Sequence, residues 1–133
     1  MQHKTQIYKI TPVPKPRMTA RDRRGDKRPP VARYHAFKDQ CRIHGVTVPE
    51  SNYHVAFVMP IPKSWAKKKK DFLKGQPHQQ VPDKDNLEKA LLDACYGQDC
   101  RVWDGRCSKI WGDEGMIVIT DIKINAVEIA RDV

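Results

Sequence analysis

The chain has 133 residues, with 25 lysines and arginines against 16 acids and a formal net charge of +9. This length supports one modest core, so a single domain over residues 1–133 is expected. An apolar share of 39% with 31% charge leaves no run near the roughly 20 apolar residues of a membrane span, and the basic balance favours nucleic acid over a membrane surface.

No signal-peptide pattern opens the sequence, and a cytoplasmic protein is expected. Residues 5–11 read as a strand, with Ile7 and Lys9 on one face and Tyr8 and Ile10 on the other. Pro12-Val13-Pro14-Lys15-Pro16-Arg17 breaks it into an extended segment. From Lys15 to Arg33 stand eight bases (Lys15, Arg17, Arg21, Arg23, Arg24, Lys27, Arg28, Arg33) against Asp22 and Asp26. That composition predicts a flexible basic arm over residues 15–30, or, more blandly, a solvated loop. Pro29-Pro30 open a helix that runs to about His44 and closes at Gly45. Tyr34, Phe37, Lys38 and Cys41 share one of its faces.

A second strand spans Tyr53 to Met59. Apolar residues fall on both of its phases, which predicts a central strand covered on both sides. Ser64 as N-cap and Gly75 as stop delimit a short helix. Its aromatics, Trp65 and Phe72, are expected inward. Its lysines, with Lys63, Lys67, Lys68, Lys69, Lys70 and Lys74, are expected outward as a second basic patch of the kind that grips phosphate backbones.

Pro82 then precedes Asp83-Lys84-Asp85-Asn86-Leu87-Glu88-Lys89. Leu87, Ala90, Leu91 and Ala94 recur at the spacing of one buried helical face. Asp85 and Glu88 fit a capping box, and Gly97 offers a left-handed stop. Asp83 and Asp85 therefore sit on a turn at a helix mouth, with Lys89 one turn behind. Capping by these aspartates is the ordinary reading; a hard cation such as Mg²⁺ would suit the same carboxylates. Beyond this helix, Asp104-Gly105 reads as a turn. Arg106 to Trp111 and Met116 to Val127 read as two antiparallel strands joined through residues 112–115. The last three residues are expected to fray.

Cys41, Cys95, Cys100 and Cys107 form no C-x-x-C pair, and reduced thiols are expected. A zinc site on Cys95, Cys100 and Cys107 is the weakest alternative. No internal repeat is visible.

From Val81 to Asp104 the balance inverts, with six acids (Asp83, Asp85, Glu88, Asp93, Asp99, Asp104) against three bases. Clustered aspartates repel phosphates, so an acidic centre between basic patches makes sense when divalent cations invert the local charge. That favours a metal-dependent nuclease over a passive binder.

The pattern Asp83-x-Asp85-Asn86-Leu87-x-Lys89-Ala90-x-x-Asp93-Ala94, followed by Asp104, resembles the RusA-type Holliday junction resolvases, endodeoxyribonucleases of bacteriophages and prophages. The likeness extends to Pro14-Lys15-Pro16-Arg17 and to Pro60-Ile61-Pro62-Lys63-Ser64-Trp65. It implies an α/β fold, a small single domain with a mixed β-sheet packed by helices, working as a homodimer. It implies Asp83, Asp85 and Asp104 as metal-binding catalytic carboxylates and Lys89 as the catalytic lysine. The cofactor would be Mg²⁺, with Mn²⁺ as a substitute, and no small-molecule cofactor. Many members carry paired aspartates at the third position where Trp103-Asp104-Gly105 supplies one, so Asp99 stands as a rival.

The function this implies is resolution of four-way DNA junctions by paired nicks, in recombination and repair within a bacterial or phage-infected cell. Lys15, Arg17, Arg21, Arg23, Arg24, Lys63, Lys67, Lys68, Lys69 and Lys70 would grip the branched DNA. The alternative is a non-catalytic basic DNA-binding protein whose aspartates only cap a helix.

Overall fold

Tyr53, Val55, Phe57 and Met59 are buried along β2 (Tyr53–Pro60), while His54, Ala56 and Val58 between them are half-buried. In a strand this alternation gives one core face and one open face. The computed structural model describes residues 4–20, 28–123 and 125–133, so Arg21, Arg23 and Arg24 of the basic arm lie outside the described residues.

β2 is central in a four-stranded sheet of order β1-β4-β2-β3, with β1 at Thr5–Tyr8, β3 at Gly105–Gly112 and β4 at Met116–Asp121. It runs parallel to β3 and antiparallel to β4, which in turn pairs antiparallel with β1. Among the described residues there are four α-helices: α1 (Pro29–Ile43), α2 (Lys67–Leu73), α3 (Lys84–Cys95) and α4 (Ala126–Arg131). The result is a small α/β domain with a mixed sheet.

The core lies between one face of that sheet and the helices α1 and α3. Val31, Tyr34, Phe37 and Cys41 of α1 and Leu87, Ala90, Leu91 and Leu92 of α3 are buried there, and the two helices pack on each other. Each large aliphatic side chain taken out of water contributes about 1.5–3 kcal/mol, so this layer fixes where the mouth of α3 stands. α1 begins on its proline pair and ends at His44, with Gly45 left-handed at φ +64.

Several expectations are corrected. The second phase of β2 is only half covered, because both core helices sit on the Tyr53 face. β3 and β4 do not pair with each other; β2 lies between them. The link at 113–115 crosses over the end of β2, where Pro60 has no N–H to extend the ladder. It crosses so closely that a Cβ on Gly112 would stand 2.4 Å from Val58 Cγ1. The opening strand stops at Tyr8, and the tail beyond Asp121 turns into α4 instead of extending β4. In α2, Ala66 rather than Ser64 is the N-cap, and Phe72 faces solvent at 74% exposure. Trp65 does dock inward, its ring 5.5 Å from that of Trp111, and Lys69 Nζ lies 3.9 Å above it.

Candidate metal and DNA site

Asp83, directly after Pro82, is extended at φ −69 and ψ 147 and is the N-cap of α3. Its carbonyl accepts from the Leu87 amide at 3.2 Å, which starts the helix, but its carboxylate makes no capping hydrogen bond. Asp85 lies inside the first turn rather than at the cap. The expected capping box is therefore not formed. Glu88, its presumed partner, is committed elsewhere: Oε2 accepts from Tyr53 Oη at 2.7 Å and from Cys107 Sγ at 3.0 Å. A half-buried carboxylate gains more from a phenol and a thiol in the core than from an exposed backbone amide. At the other end, Tyr96 turns extended and stops the helix without a left-handed Gly97.

Asp83 and Asp85 are both exposed at this mouth, and Lys89 Nζ lies 4.0 Å from Asp85 Oδ2, one turn along. Asp104 immediately precedes β3, so Gly105 is a strand residue and not the expected turn. A small cleft of about 170 Å³ joins the two elements, lined by Lys84, Asp85 and Glu88 of α3 and by Gly105, Arg106 and Cys107 of β3. Asp104 itself is half-buried, and its Oδ2 is buried without a hydrogen-bond partner among the described residues. An isolated carboxylate oxygen in such a place is costly unless something charged or donating meets it.

The donor chemistry fits a hard divalent cation: oxygens only, from residues at the start of a helix and the start of the adjoining strand. Among the described residues, no three His, Cys, Asp or Glu side chains close around one point as they stand. Asp83 and Asp85 are exposed side chains with rotamer freedom, while Asp104 is half-buried. Asp99 stands in a 3-10 turn (Asp99–Arg101), and its side chain lies outside the description. The zinc alternative loses its geometry. Cys107 Sγ donates to Glu88, whereas Cys95 Sγ donates to the Val46 carbonyl at 3.4 Å. Burial pushes the Cys95 thiol up to about 11 and, with the Glu88 bond, raises that of Cys107, so both are protonated thiols in the metal-free protein.

A second cleft, of about 460 Å³, lies on the other flank of the helix mouth and is lined by Lys15, Pro16, Arg17, Asn86 and Lys89. The root of the basic arm thus lies against α3, with the Lys15 amide donating to the Asn86 carbonyl at 3.1 Å. Lys15 Nζ is also 2.8 Å from Asp93 Oδ2, which accepts from Tyr34 Oη at 2.5 Å. Burial alone would raise the Asp93 pKa, yet the Lys15 and Tyr34 hydrogen bonds outweigh it and hold the carboxyl below its ordinary value. Asp93 is therefore an anchor, not a ligand. Asn86 was not singled out from the sequence; its position one residue beyond Asp85 was the available signal.

Lys63 and Lys67 to Lys70 lie on and just before α2. That element docks through Trp65 on Trp111, seven residues and about 20 Å along β3 from Asp104. The arm root and Lys89 share one cleft and Asp85 shares another with the start of β3, whereas Asp83, Asp85 and Asp104 do not close around one point and the lysine patch stands apart.

Residues 9–122 match the family model described as Endodeoxyribonuclease RusA. No curated protein matches the chain.

Proposed function

Because the chain belongs to the RusA endodeoxyribonuclease family, we propose that it is a Mg²⁺-dependent endonuclease that resolves four-way DNA junctions as a homodimer. The observation that supports the site assignment is Asp104 Oδ2, a buried oxygen without a partner among the described residues, one residue before the strand start that shares a cleft with Asp85. Against the helix-capping alternative stands the N-cap carboxylate of Asp83, which makes no capping bond.

Asp83, Asp85 and Asp104 would hold the metal. When bound, Mg²⁺ supplies Lewis-acid polarisation of the scissile phosphate and activates water. Lys89, kept beside Asp85, offsets negative charge that develops on the phosphoryl oxygens. The cleft of Lys15, Arg17 and Asn86 receives the backbone next to the cleaved bond, with amide and ammonium donors for phosphate oxygens. The lysines on and before α2 grip a duplex arm about 20 Å away without reading sequence. A two-fold dimer presents two such sites to a two-fold junction, so symmetric nicks follow.

The test is cleavage of a labelled four-way junction with Mg²⁺, beside duplex DNA and an Asp83→Asn control. Paired symmetric nicks in the junction alone, absent from the variant, are expected. Equal cleavage of duplex and junction would remove the junction specificity. Tight binding with no cleavage under any divalent cation would overturn the nuclease reading.

A further inference from the structure

Lys109 lies midway along β3, opposite Phe57 of β2, and so belongs to neither cleft described above. Its ammonium donates to the carbonyl of Gln80 at 2.6 Å and to that of Pro82 at 2.7 Å. Both carbonyls belong to the segment that delivers the chain to Asp83. Upstream, this segment runs antiparallel beside β3. The Gly75 amide donates to Trp111 at 2.9 Å, the Trp111 amide to Gln76 at 2.9 Å, and the His78 amide to Lys109 at 3.0 Å, with Pro77 opposite Ile110. Beyond His78 the ladder ends, and the Lys109 side chain takes over the carbonyls that follow.

That handover matters because Asp83 has no capping bond to orient it. The place from which its carboxylate reaches out is inherited from the backbone at Gln80 to Pro82. Two charge-assisted bonds from one ammonium fix that backbone to β3, the strand whose start is preceded by Asp104. The same strand therefore governs both sides of the candidate site. Two of the three ammonium donors are spent on carbonyls, which is a poor arrangement for a phosphate grip.

We propose that Lys109 is a positioning residue, which places Asp83 by clamping the Gln80 and Pro82 carbonyls to β3. The proposal rests on the reading of Asp83 as a metal-binding carboxylate. Outer partners of metal ligands change metal affinity by about 10–100-fold when removed. Lys109→Met keeps the aliphatic stem and deletes the ammonium; Lys109→Arg keeps charge and donors.

The experiment measures Mg²⁺ binding to the full chain by calorimetry without DNA. It also measures amide exchange over residues 79–87 and the Mg²⁺ concentration for half-maximal junction cleavage. In Lys109→Met the affinity for Mg²⁺ should fall about tenfold or more, the half-maximal concentration should rise to match, and exchange should quicken. Metal-free junction affinity should be unchanged, and Lys109→Arg should recover most of the loss. If the methionine variant does not fold, Lys109→Gln serves the same comparison. Wild-type Mg²⁺ affinity in a folded Lys109→Met chain would overturn the proposal. So would a loss confined to thermal stability, or a loss of metal-free junction affinity with a shallower salt slope. A wild-type protein that cleaves no junction would defeat the functional reading instead, and calorimetry would still judge the clamp.

Discussion

Tyr53 Oη donates to Glu88 Oε2 at 2.7 Å, and the ring that carries it lies so close to Gly105 that a Cβ there would stand 2.0 Å from Cζ. β2, the first residue of β3 and the second turn of α3 are thereby locked at one point. Asp104 is the residue before Gly105 and Asp85 lies three residues before Glu88, so this contact sets how the two carboxylates approach. Tyr53 is 2% exposed and its ring cannot withdraw. Gly105→Ala should therefore cost about 1–3 kcal/mol or more as an overpacked site. Tyr53→Phe should cost about 1–3 kcal/mol through the lost hydrogen bond. Urea unfolding of the two variants checks both, and a wild-type midpoint for Gly105→Ala would show that the approach is not as tight as the ring position demands.

Asp104 gives a sharper test, because stability and activity should move in opposite directions. Its buried carboxylate oxygen has lost water without gaining a partner among the described residues of the metal-free protein. Asp104→Asn removes that charge, so the metal-free melting temperature should hold or rise. Cleavage should fall by about 100-fold or more, the scale of losing a preorganised electrostatic contact. Mg²⁺ should raise the melting temperature of the wild type by mass action and leave that of Asp104→Asn where it was. If Asp99→Asn shows this behaviour and Asp104→Asn does not, the third carboxylate is Asp99.

What the sequence made legible follows the range of the interactions involved. α1, its glycine stop, the buried stripe of α3 and the existence of β2 as a strand depend on residues within a few positions, and they were readable; the half-covered second face of β2 was not, because it depends on where α1 and α3 pack. Asp83, Asp85 and Lys89 share a helix mouth for the same reason. The supposed hairpin failed because β2 enters between β3 and β4 from more than forty residues upstream, and strand order is not written in either strand. The capping box failed because Tyr53, 35 residues from Glu88, competes for that carboxylate. Lys109 was silent in the sequence for the same cause: its partners are carbonyls nearly thirty residues away.

The arm root has its own lever. Asp93 joins Lys15 of the arm to Tyr34 of α1, and its carboxyl is held below its ordinary value. A carboxylate with a depressed folded pKa stabilises the protein above its unfolded value, and that stability is lost as pH falls through the folded pKa. Tyr34→Phe should cost about 1–2 kcal/mol and leave cleavage near wild type. Asp93→Asn should cost as much near neutral pH and also weaken junction binding, since Lys15 and Arg17 lose their footing beside Lys89. A flattened acid limb of the stability curve in Asp93→Asn checks the assignment; unchanged junction affinity would show that the arm root does not matter for binding.

The lysines around α2 should behave as phosphate contacts. Lys67→Gln with Lys68→Gln removes two exposed ammonium groups without touching the core. Junction affinity should fall, and the slope of log affinity against log salt should become shallower by about two for two lost phosphate contacts. Turnover at saturating enzyme should stay. Lys69 differs, because its ammonium also sits over Trp65; Lys69→Gln should add about 0.5–1 kcal/mol of lost stability from that contact. Filter binding across a salt series separates these effects, and an unchanged slope would mean that the patch faces away from the DNA.

His78 links acid stability to the segment before the site. It is 6% exposed, its ring lies 4.3 Å from that of Trp111, and its Nδ1 has no hydrogen-bond partner among the described residues. Burial, then the nearby Lys109 ammonium, lowers its pKa from the ordinary 6.5. The sign follows from the protons bound. Below pH 6.5 the unfolded chain takes up a proton that the folded chain refuses, so stability falls as pH drops from 6.5 toward the depressed folded value. Above 6.5 both states are neutral at this residue and the contribution is flat. His78→Phe keeps a ring against Trp111 and removes the titration, so its stability should decline less between pH 7 and pH 5 than that of the wild type. Urea unfolding at both pH values gives the comparison. Equal declines in the two proteins would place the acid sensitivity elsewhere, with His54 the next histidine lowered by burial.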